Sequence, residues 1–394
     1  MSEQGKGQQL IRICFITTVS ITMKAFVLDT ARYLADSGAF EVTVVCDGDA
    51  SFGELIPPNV RYLPVSMKRG INLAGIGAVL SLRALFSSEK FDIVQYSTPN
   101  ASLYAALASW MAGVGVRLYC QWGIVYVGFS GIKRRIFRRI EKMVCTLSTW
   151  IEPDSEGNRR FSVAEGLYAD TKSSVVWNGS ASGVDLRKFD IASKNVWRTE
   201  TRGRLGIPDQ AVVVGFVGRM SRDKGMNELL LAIRRMMADT PQLYLMLVGG
   251  IEINHRIEPE LLSWAEGEKR VVFCGRTSEV EKHLAAMDLF ALPSYREGFG
   301  SVVIEAEAMG VPVVVSDIPG PTDAMLPGTT GELVRKGDSD SLRVVLQNLM
   351  DNPERAHAMS EEAVRYVRSR FDQGILFEKI MEDRLRLCAR RGKA

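Results

Sequence analysis

Apolar and polar positions along the chain switch repeatedly between a period of two and a period near 3.6. Residues 11–17 form a short β-branched run, 24–37 carry apolar side chains at helical spacing, and 42–46 form a second strand-like run. Strand, helix, strand is the unit of a parallel sheet. Further strands at 92–96 and 116–121 alternate with helical patterns at 73–87 and 101–112, the rhythm of a doubly wound α/β domain.

The rhythm breaks near Gly183 and restarts at 211, with a charged stretch, 185–209, where a hinge is expected. The second half repeats it: strand 211–217, helix 226–238, strand 243–248 ending in Gly249-Gly250, strands 271–274 and 288–292, helix 301–309, strand 312–316 and helix 339–350. Two more helical patterns, 354–369 and 372–390, close the chain. The expectation is two Rossmann-like α/β domains facing a cleft, 1–185 and 186–370, with 371–394 a C-terminal helix packing back toward the first domain. In such sheets ligands bind beyond the carboxyl ends of the strands.

A chain of 394 residues exceeds one ordinary core, which agrees with two domains. Residues 1–185 hold 19 basic and 16 acidic side chains and the rest 30 of each, so the whole net charge of +3 lies in the first half. That excess is too small for a nucleic-acid binder. Six cysteines without C-x-x-C spacing read as buried thiols of a reducing compartment, and three histidines without ligand spacing argue against a structural zinc site. The first nine residues are a polar tail, without the long apolar segment behind them that a signal peptide would need. Residues 93–132 carry one charged side chain, Arg117, but Pro99, Asn100, Gly113 and Gly115 leave an apolar stretch short of the roughly 20 residues that span a bilayer. A buried helix is expected there.

Chemistry concentrates in the second half. Gly215-Phe216-Val217-Gly218-Arg219 ends a strand and Asp223-Lys224-Gly225 opens a helix, bringing two cations to one strand edge. Alone, this is also what a turn with solvated basic residues looks like. Farther on, Glu297 and Glu305 are separated by seven residues, one on a loop and one on the following helix. The amides of Gly300, Ser301 and Val302 are free helix-start donors suited to a phosphate. Carboxylates beside an anion would repel it, so they are better used accepting hydrogen bonds from neutral hydroxyls; the alternative is a helix-start and a solvated glutamate.

The order Gly-x-x-Gly-Arg…Lys-Gly, Val248-Gly249-Gly250, Phe273-Cys274-Gly275, Leu292-Pro293-Ser294 with the glutamate pair, and Gly310-x-Pro312 resembles glycosyltransferase family 4, of GT-B fold, strongly over residues 211–335. The resemblance implies a retaining transferase that moves a hexose-type sugar from a nucleoside diphosphate sugar, a UDP-sugar, to a polyprenyl-diphosphate-linked glycan of O-antigen or capsule assembly. It implies that Arg219 and Lys224 contact the diphosphate, Glu297 the transferred sugar and Glu305 the ribose. Gly218, Gly249, Gly298, Phe299, Gly300, Ser301 and Val302 would line the donor, with Arg276 by the base. No cofactor and no metal are expected, because Arg219, Lys224 and the helix-start amides supply the charge.

The first half departs from a common family pattern, with Thr17-Thr18-Val19-Ser20-Ile21-Thr22-Met23-Lys24 where many members have a glycine-rich loop. Thr18, Ser20 and Lys24 could contact phosphate or acceptor, or the hydroxyls could cap a helix. Trp122, Tyr126 and Phe129 could stack on a sugar or pack in the core. No histidine precedes residue 250, which favours a retaining route in which the departing phosphate takes the acceptor proton, although Asp29, Asp92, Glu152, Asp154 or Glu156 could serve as a base.

Residues 132–143 form a basic amphipathic pattern: Ile132, Ile136, Phe137, Ile140 and Met143 share one face, opposite Arg134, Arg135, Arg138, Arg139 and Lys142. Such a helix either docks on the sheet or lies on anionic lipid, and the expected location is cytoplasmic, peripheral on the cytosolic face of the plasma membrane. Two competing readings are a sugar-nucleotide epimerase of the same fold and a non-catalytic membrane-associated scaffold. A dehydrogenase is excluded for want of a Gly-x-Gly-x-x-Gly after a strand.

Overall fold

The computed structural model describes residues 10–48, 50–67 and 74–391; the polar N-terminal tail and position 73 lie outside them. The chain divides into two compact units, one running to Ser182 and resuming at Ile375, the other Gly183–Gly374.

The first unit holds six strands, β1 (Ile11–Val19), β2 (Phe40–Asp47), β3 (Val60–Pro64), β4 (Ile93–Tyr96), β5 (Val116–Gln121) and β6 (Trp150–Pro153), in the order β3-β2-β1-β4-β5-β6. Every pairing is parallel. Alternation along β1 feeds two separate cores: Ile13 and Phe15 pack with Val42 and Val44, whereas Cys14 and Ile16 pack with Val45, Val94 and Tyr96. A sheet buried on both faces explains why its strands read as continuous apolar runs.

The C-terminal helix Gln373–Arg391 belongs mainly to this unit. Its Arg384 side chain is 1% exposed and donates to Gln95 of β4 at 3.0 Å, Glu152 Oε1 of β6 at 3.0 Å and Asp383 at 2.8 Å. A buried cation with three partners fixes the helix on the sheet, since removing any one partner would leave charge stranded.

The second unit repeats the architecture with β7 (Val212–Val217), β8 (Leu243–Val248), β9 (Val271–Gly275), β10 (Leu289–Leu292), β11 (Val313–Ser316) and β12 (Gly331–Val334), in the order β12-β11-β10-β7-β8-β9, again all parallel. The charged stretch 185–209 is not an open linker. It contains the helix Lys194–Leu205, whose buried Arg202 donates to Asp288 Oδ2 at 2.8 Å and to the carbonyls of Ala286 and Ala211 at 3.0 and 2.9 Å. Charge in that sequence window marks an ion pair, buried on its Arg202 side, that ties the helix to the edge of β7 and β10.

Within residues 93–132, the membrane candidate, the helix Pro99–Met111 is buried along Ala101, Ala105 and Ala108. Among the described residues no helix is long and apolar enough to cross a membrane. The six cysteines are free thiols, four of them buried.

Candidate functional site

β7 and β10 are neighbours, yet the chain leaves β7 toward β8 on one side and β10 toward β11 on the other. The loops beyond their carboxyl ends therefore diverge and open a crevice at the sheet's switch point. Lys224 comes from the first loop and Glu297 from the second, and they meet there: Lys224 Nζ lies 2.5 and 2.7 Å from the two carboxylate oxygens.

Glu297 is held from its own loop as well. The hydroxyl of Ser294, fully buried, donates to Glu297 Oε1 at 2.7 Å. Its neighbours are pinned to the loop and helix after β7: the Tyr295 amide donates to the Asp223 carbonyl at 2.9 Å, the Tyr295 hydroxyl to Glu228 at 2.7 Å, and Arg296 to Asp223 Oδ2 at 2.7 Å. Burial and the Glu228 carboxylate push the Tyr295 phenol up to about 12. Gly225 makes this approach possible, because at φ +72° a Cβ there would stand 2.0 Å from the Pro293 carbonyl oxygen. The cation and carboxylate thus sit on two loops locked together, which is pre-organisation rather than chance proximity.

Arg219 stands at the same end of the sheet, with 62% of its side chain exposed, and pairs with Glu252 on the loop after β8. Gly249 begins that loop at φ +133°, where a Cβ would meet the Gly218 carbonyl oxygen at 1.9 Å. Arg276 lies alongside, its Nε 3.0 Å from where a Cβ of Gly250 would be.

The helix Ser301–Ala308 starts from Gly300 in a left-handed conformation, φ +83°, with no side-chain cap on its first amides. Ser301 and Val302 are half-buried at this end, while the Phe299 ring is buried edge-on against Phe371, so only its backbone faces the loop. Gly298 and Gly320 pack backbone to backbone, a Cβ on Gly320 falling 1.8 Å from the Gly298 carbonyl. One turn into the helix, desolvation raises the Glu305 carboxyl to about 7; Lys188 pulls it down and Glu281 pushes it up. It therefore changes charge near neutrality.

In the first unit the corresponding switch point lies between β1 and β4. Thr18 there is buried and its hydroxyl lies 2.7 Å from that of Thr98 and accepts from the Ala101 amide at 3.2 Å. Its hydrogen bonding is taken up within the fold. Ser20 opens the helix Ser20–Phe26 without capping it, and Lys24 is exposed in its last turn. Trp122 packs on Phe26 with ring centroids 5.7 Å apart. Tyr126 is buried and donates to Glu165, and Phe129 packs on Phe137.

Among the base candidates, Glu152 is bound by Arg384, Asp92 accepts from the Arg12 amide at 3.0 Å, Asp154 from Asn158 at 3.2 Å, and Glu156 from Arg159 at 3.2 Å. Asp29 is exposed beside Arg32.

The helix Gly131–Leu147 corrects the expected docking face. Val144 and Cys145 are buried and Phe137 and Ile140 half-buried, but Ile132, Ile136 and Met143 are exposed, Ile132 to 75%. Arg134 and Arg138 pair with Glu165 at 3.7 and 3.0 Å. Lys133, Arg135, Arg139 and Lys142 are exposed, so apolar and cationic side chains share the solvent face.

Ser294, Glu228 and Glu252 escaped sequence reasoning. Ser294 had a signal, three residues before a glutamate; Glu228 and Glu252 act across loops and had none.

Two family models match the chain, the glycosyl transferase 4-like domain over residues 22–168 and glycosyl transferases group 1 over 198–366. A D-inositol 3-phosphate glycosyltransferase of Thermobispora bispora is 34% identical over 386 residues, covering 87% of this chain and 85% of that one. A capsular polysaccharide biosynthesis glycosyltransferase of Staphylococcus aureus, CapM, is 27% identical, covering 80% and 82%. The UDP-Gal:alpha-D-GlcNAc-diphosphoundecaprenol alpha-1,3-galactosyltransferase of Escherichia coli is 24% identical, covering 79% and 81%. The crystal structure of Anabaena HepE with UDP and glucose superposes with a TM-score of 0.77 at 20% identity, over 95% of this chain and 99% of that one, a likeness of fold.

Proposed function

The chain belongs to glycosyltransferase family 4, with the GT-B fold, and is a glycosyltransferase; from that premise we propose that it transfers a hexose-type sugar from a UDP-sugar, with retention, to a polyprenyl-diphosphate-linked glycan of O-antigen or capsule assembly. The observation that carries the donor reading is the Lys224–Glu297 pair at the switch point of the second sheet.

In this reading the diphosphate lies against Lys224, Arg219 and the first amides of the helix Ser301–Ala308. Glu297 accepts from hydroxyls of the transferred sugar and Glu305 from the ribose. As the bond from the anomeric carbon to the diphosphate breaks, its electron pair goes to the leaving oxygen, where the two cations and the amides stabilise it. The acceptor oxygen attacks the same face, and its proton passes to the departing phosphate, so no enzyme base is required. The engagement of Glu152, Asp92, Asp154 and Glu156 within the first unit supports that route. The charge on Arg219 and Lys224 supports a metal-independent reaction.

The acceptor named for the Escherichia coli relative is lipid-linked, and the capsular relative supports a surface polysaccharide. A lipid-borne acceptor calls for a protein that reaches the bilayer surface. The helix Gly131–Leu147 offers exposed Ile132, Ile136 and Met143 among exposed cations, each cation contributing about 1 kcal/mol at an anionic surface. That supports peripheral attachment to the cytosolic leaflet. Purified protein heated with a panel of nucleoside diphosphate sugars tests the donor: a UDP-hexose at about a hundred times its dissociation constant should add roughly 2.7 kcal/mol of stability. No protection by any of them would reject the reading.

A further inference from the structure

Arg219 has a partner that the donor reading gives no role. Glu252 pairs with its guanidinium, and the backbone rather than the side chains brings it there. The Met220 amide donates to the Gly250 carbonyl at 2.9 Å, the Glu252 amide to the Met220 carbonyl at 3.2 Å, and the Arg222 amide to the His255 carbonyl at 2.7 Å. Ile251 forms a parallel bridge with Met220, and the Gly218–Gly249 approach leaves no room for a Cβ. These contacts fasten residues 250–255 along 218–222, so a carboxylate is presented to Arg219 whenever the unit is folded.

A fixed carboxylate beside a diphosphate repels it. The pair is open to water, with 62% of the Arg219 and 33% of the Glu252 side chain exposed, so it is weak and exchangeable. A diphosphate carries more charge and accepts from the guanidinium fork in the same way a carboxylate does. Lys224 is treated differently, because its partner Glu297 is itself assigned to the sugar. Among the described residues the ion-pair partner of Glu252 is Arg219, and the proposed reaction gives Glu252 itself no part.

We infer that Glu252 is an internal counter-ion of the diphosphate site, a carboxylate that occupies Arg219 in the empty protein and is displaced when the diphosphate binds. The inference rests on the proposed donor site. It gives Glu252 a competitive part: it lowers affinity for any nucleoside diphosphate, and it recaptures Arg219 as the spent nucleotide leaves.

Calorimetric titration with UDP, and with GDP as a second probe, tests this on the full chain and on Glu252→Gln, Arg219→Gln and the double variant, at low and high salt. Glu252→Gln should bind the probe about two- to five-fold tighter at low salt, the range an exposed ion pair spans. The gain should shrink at high salt and be smaller in the Arg219→Gln background, where only the carboxylate's direct repulsion of the diphosphate is left. Unchanged or weaker binding by Glu252→Gln, or a gain undiminished without Arg219, overturns the inference while leaving the donor site standing. A parent protein that binds neither UDP nor GDP overturns both.

Discussion

Lys224 Nζ sits 2.5 and 2.7 Å from both carboxylate oxygens of Glu297, joining the loop after β7 to the loop after β10 across the switch point of the second sheet. The pair is largely shielded, with 20% and 10% of the side chains exposed, so its geometry is set by the two loops rather than by solvent. On the proposed reading a donor shares both groups, its phosphate taking the cation and its sugar the carboxylate.

Ser294 should matter through Glu297. Its buried hydroxyl donates to Glu297 Oε1, and a hydrogen bond to a charged group is worth about 1.5–3 kcal/mol. Ser294→Ala should therefore lower kcat by roughly ten- to hundred-fold. Glu297→Ala should abolish transfer with the fold intact by circular dichroism. Full turnover by either variant would dissociate Glu297 from the site.

If Glu305 holds the ribose as proposed, donor binding should depend on pH. Its carboxyl, raised to about 7, is neutral below that pH, and only the ionised form has full capacity to accept from ribose hydroxyls. Donor affinity should rise about ten-fold between pH 6 and 8, and Glu305→Gln should flatten the profile. For stability the sign is opposite. The folded pKa lies above the unfolded one, so ionisation of Glu305 costs stability as pH climbs from the ordinary glutamate range to about 7.

Glu307, two residues farther along the same helix, is fully buried, and desolvation holds its carboxyl well above the usual range, with the Thr330 hydroxyl pulling the other way. The unfolded chain loses this proton at lower pH than the native protein does, so the group's contribution to stability falls as pH rises above the ordinary glutamate value. Glu307→Gln should therefore stabilise the protein, and its advantage over the parent should grow by up to about 1.4 kcal/mol per pH unit. Urea melts between neutral and mildly alkaline pH measure it; a constant difference would show that Glu307 is ionised in the native state.

The solvent face of the helix Gly131–Leu147 should carry membrane attachment. Replacing Arg135, Arg139 and Lys142 with Gln removes three exposed cations at about 1 kcal/mol each, which predicts a partition coefficient onto anionic vesicles lower by about a hundred-fold. Binding that is unchanged, or that is equal on neutral vesicles, would remove this helix from the account.

Much of this was legible in the sequence because it rests on local signals. The strands from β7 to β11 are almost wholly apolar runs, Arg219, Lys224 and Glu297 lie on loops at strand ends, and Glu305 lies on the helix that follows. What escaped was non-local. Arg202 makes a charged window part of a core through Asp288, 86 positions away, and Glu252 reaches Arg219 only because β7 and β8 end side by side. The strands β3 and β12 each carry a charged side chain, Arg61 and Glu332, among few apolar ones, so they do not stand out as apolar runs. The basic helix shows a further limit: periodicity found its apolar positions but not which of them the sheet covers, and Ile132, Ile136 and Met143 stayed outside.

The anomeric outcome of transfer tests the central claim most directly. Incubating the purified protein with a UDP-hexose and a polyprenyl-diphosphate-linked glycan, and reading the coupling of the new anomeric proton by NMR, should give a product with the configuration of the donor, made by the parent and not by Glu297→Ala. A product of inverted configuration, or transfer that persists without Glu297, would contradict the account.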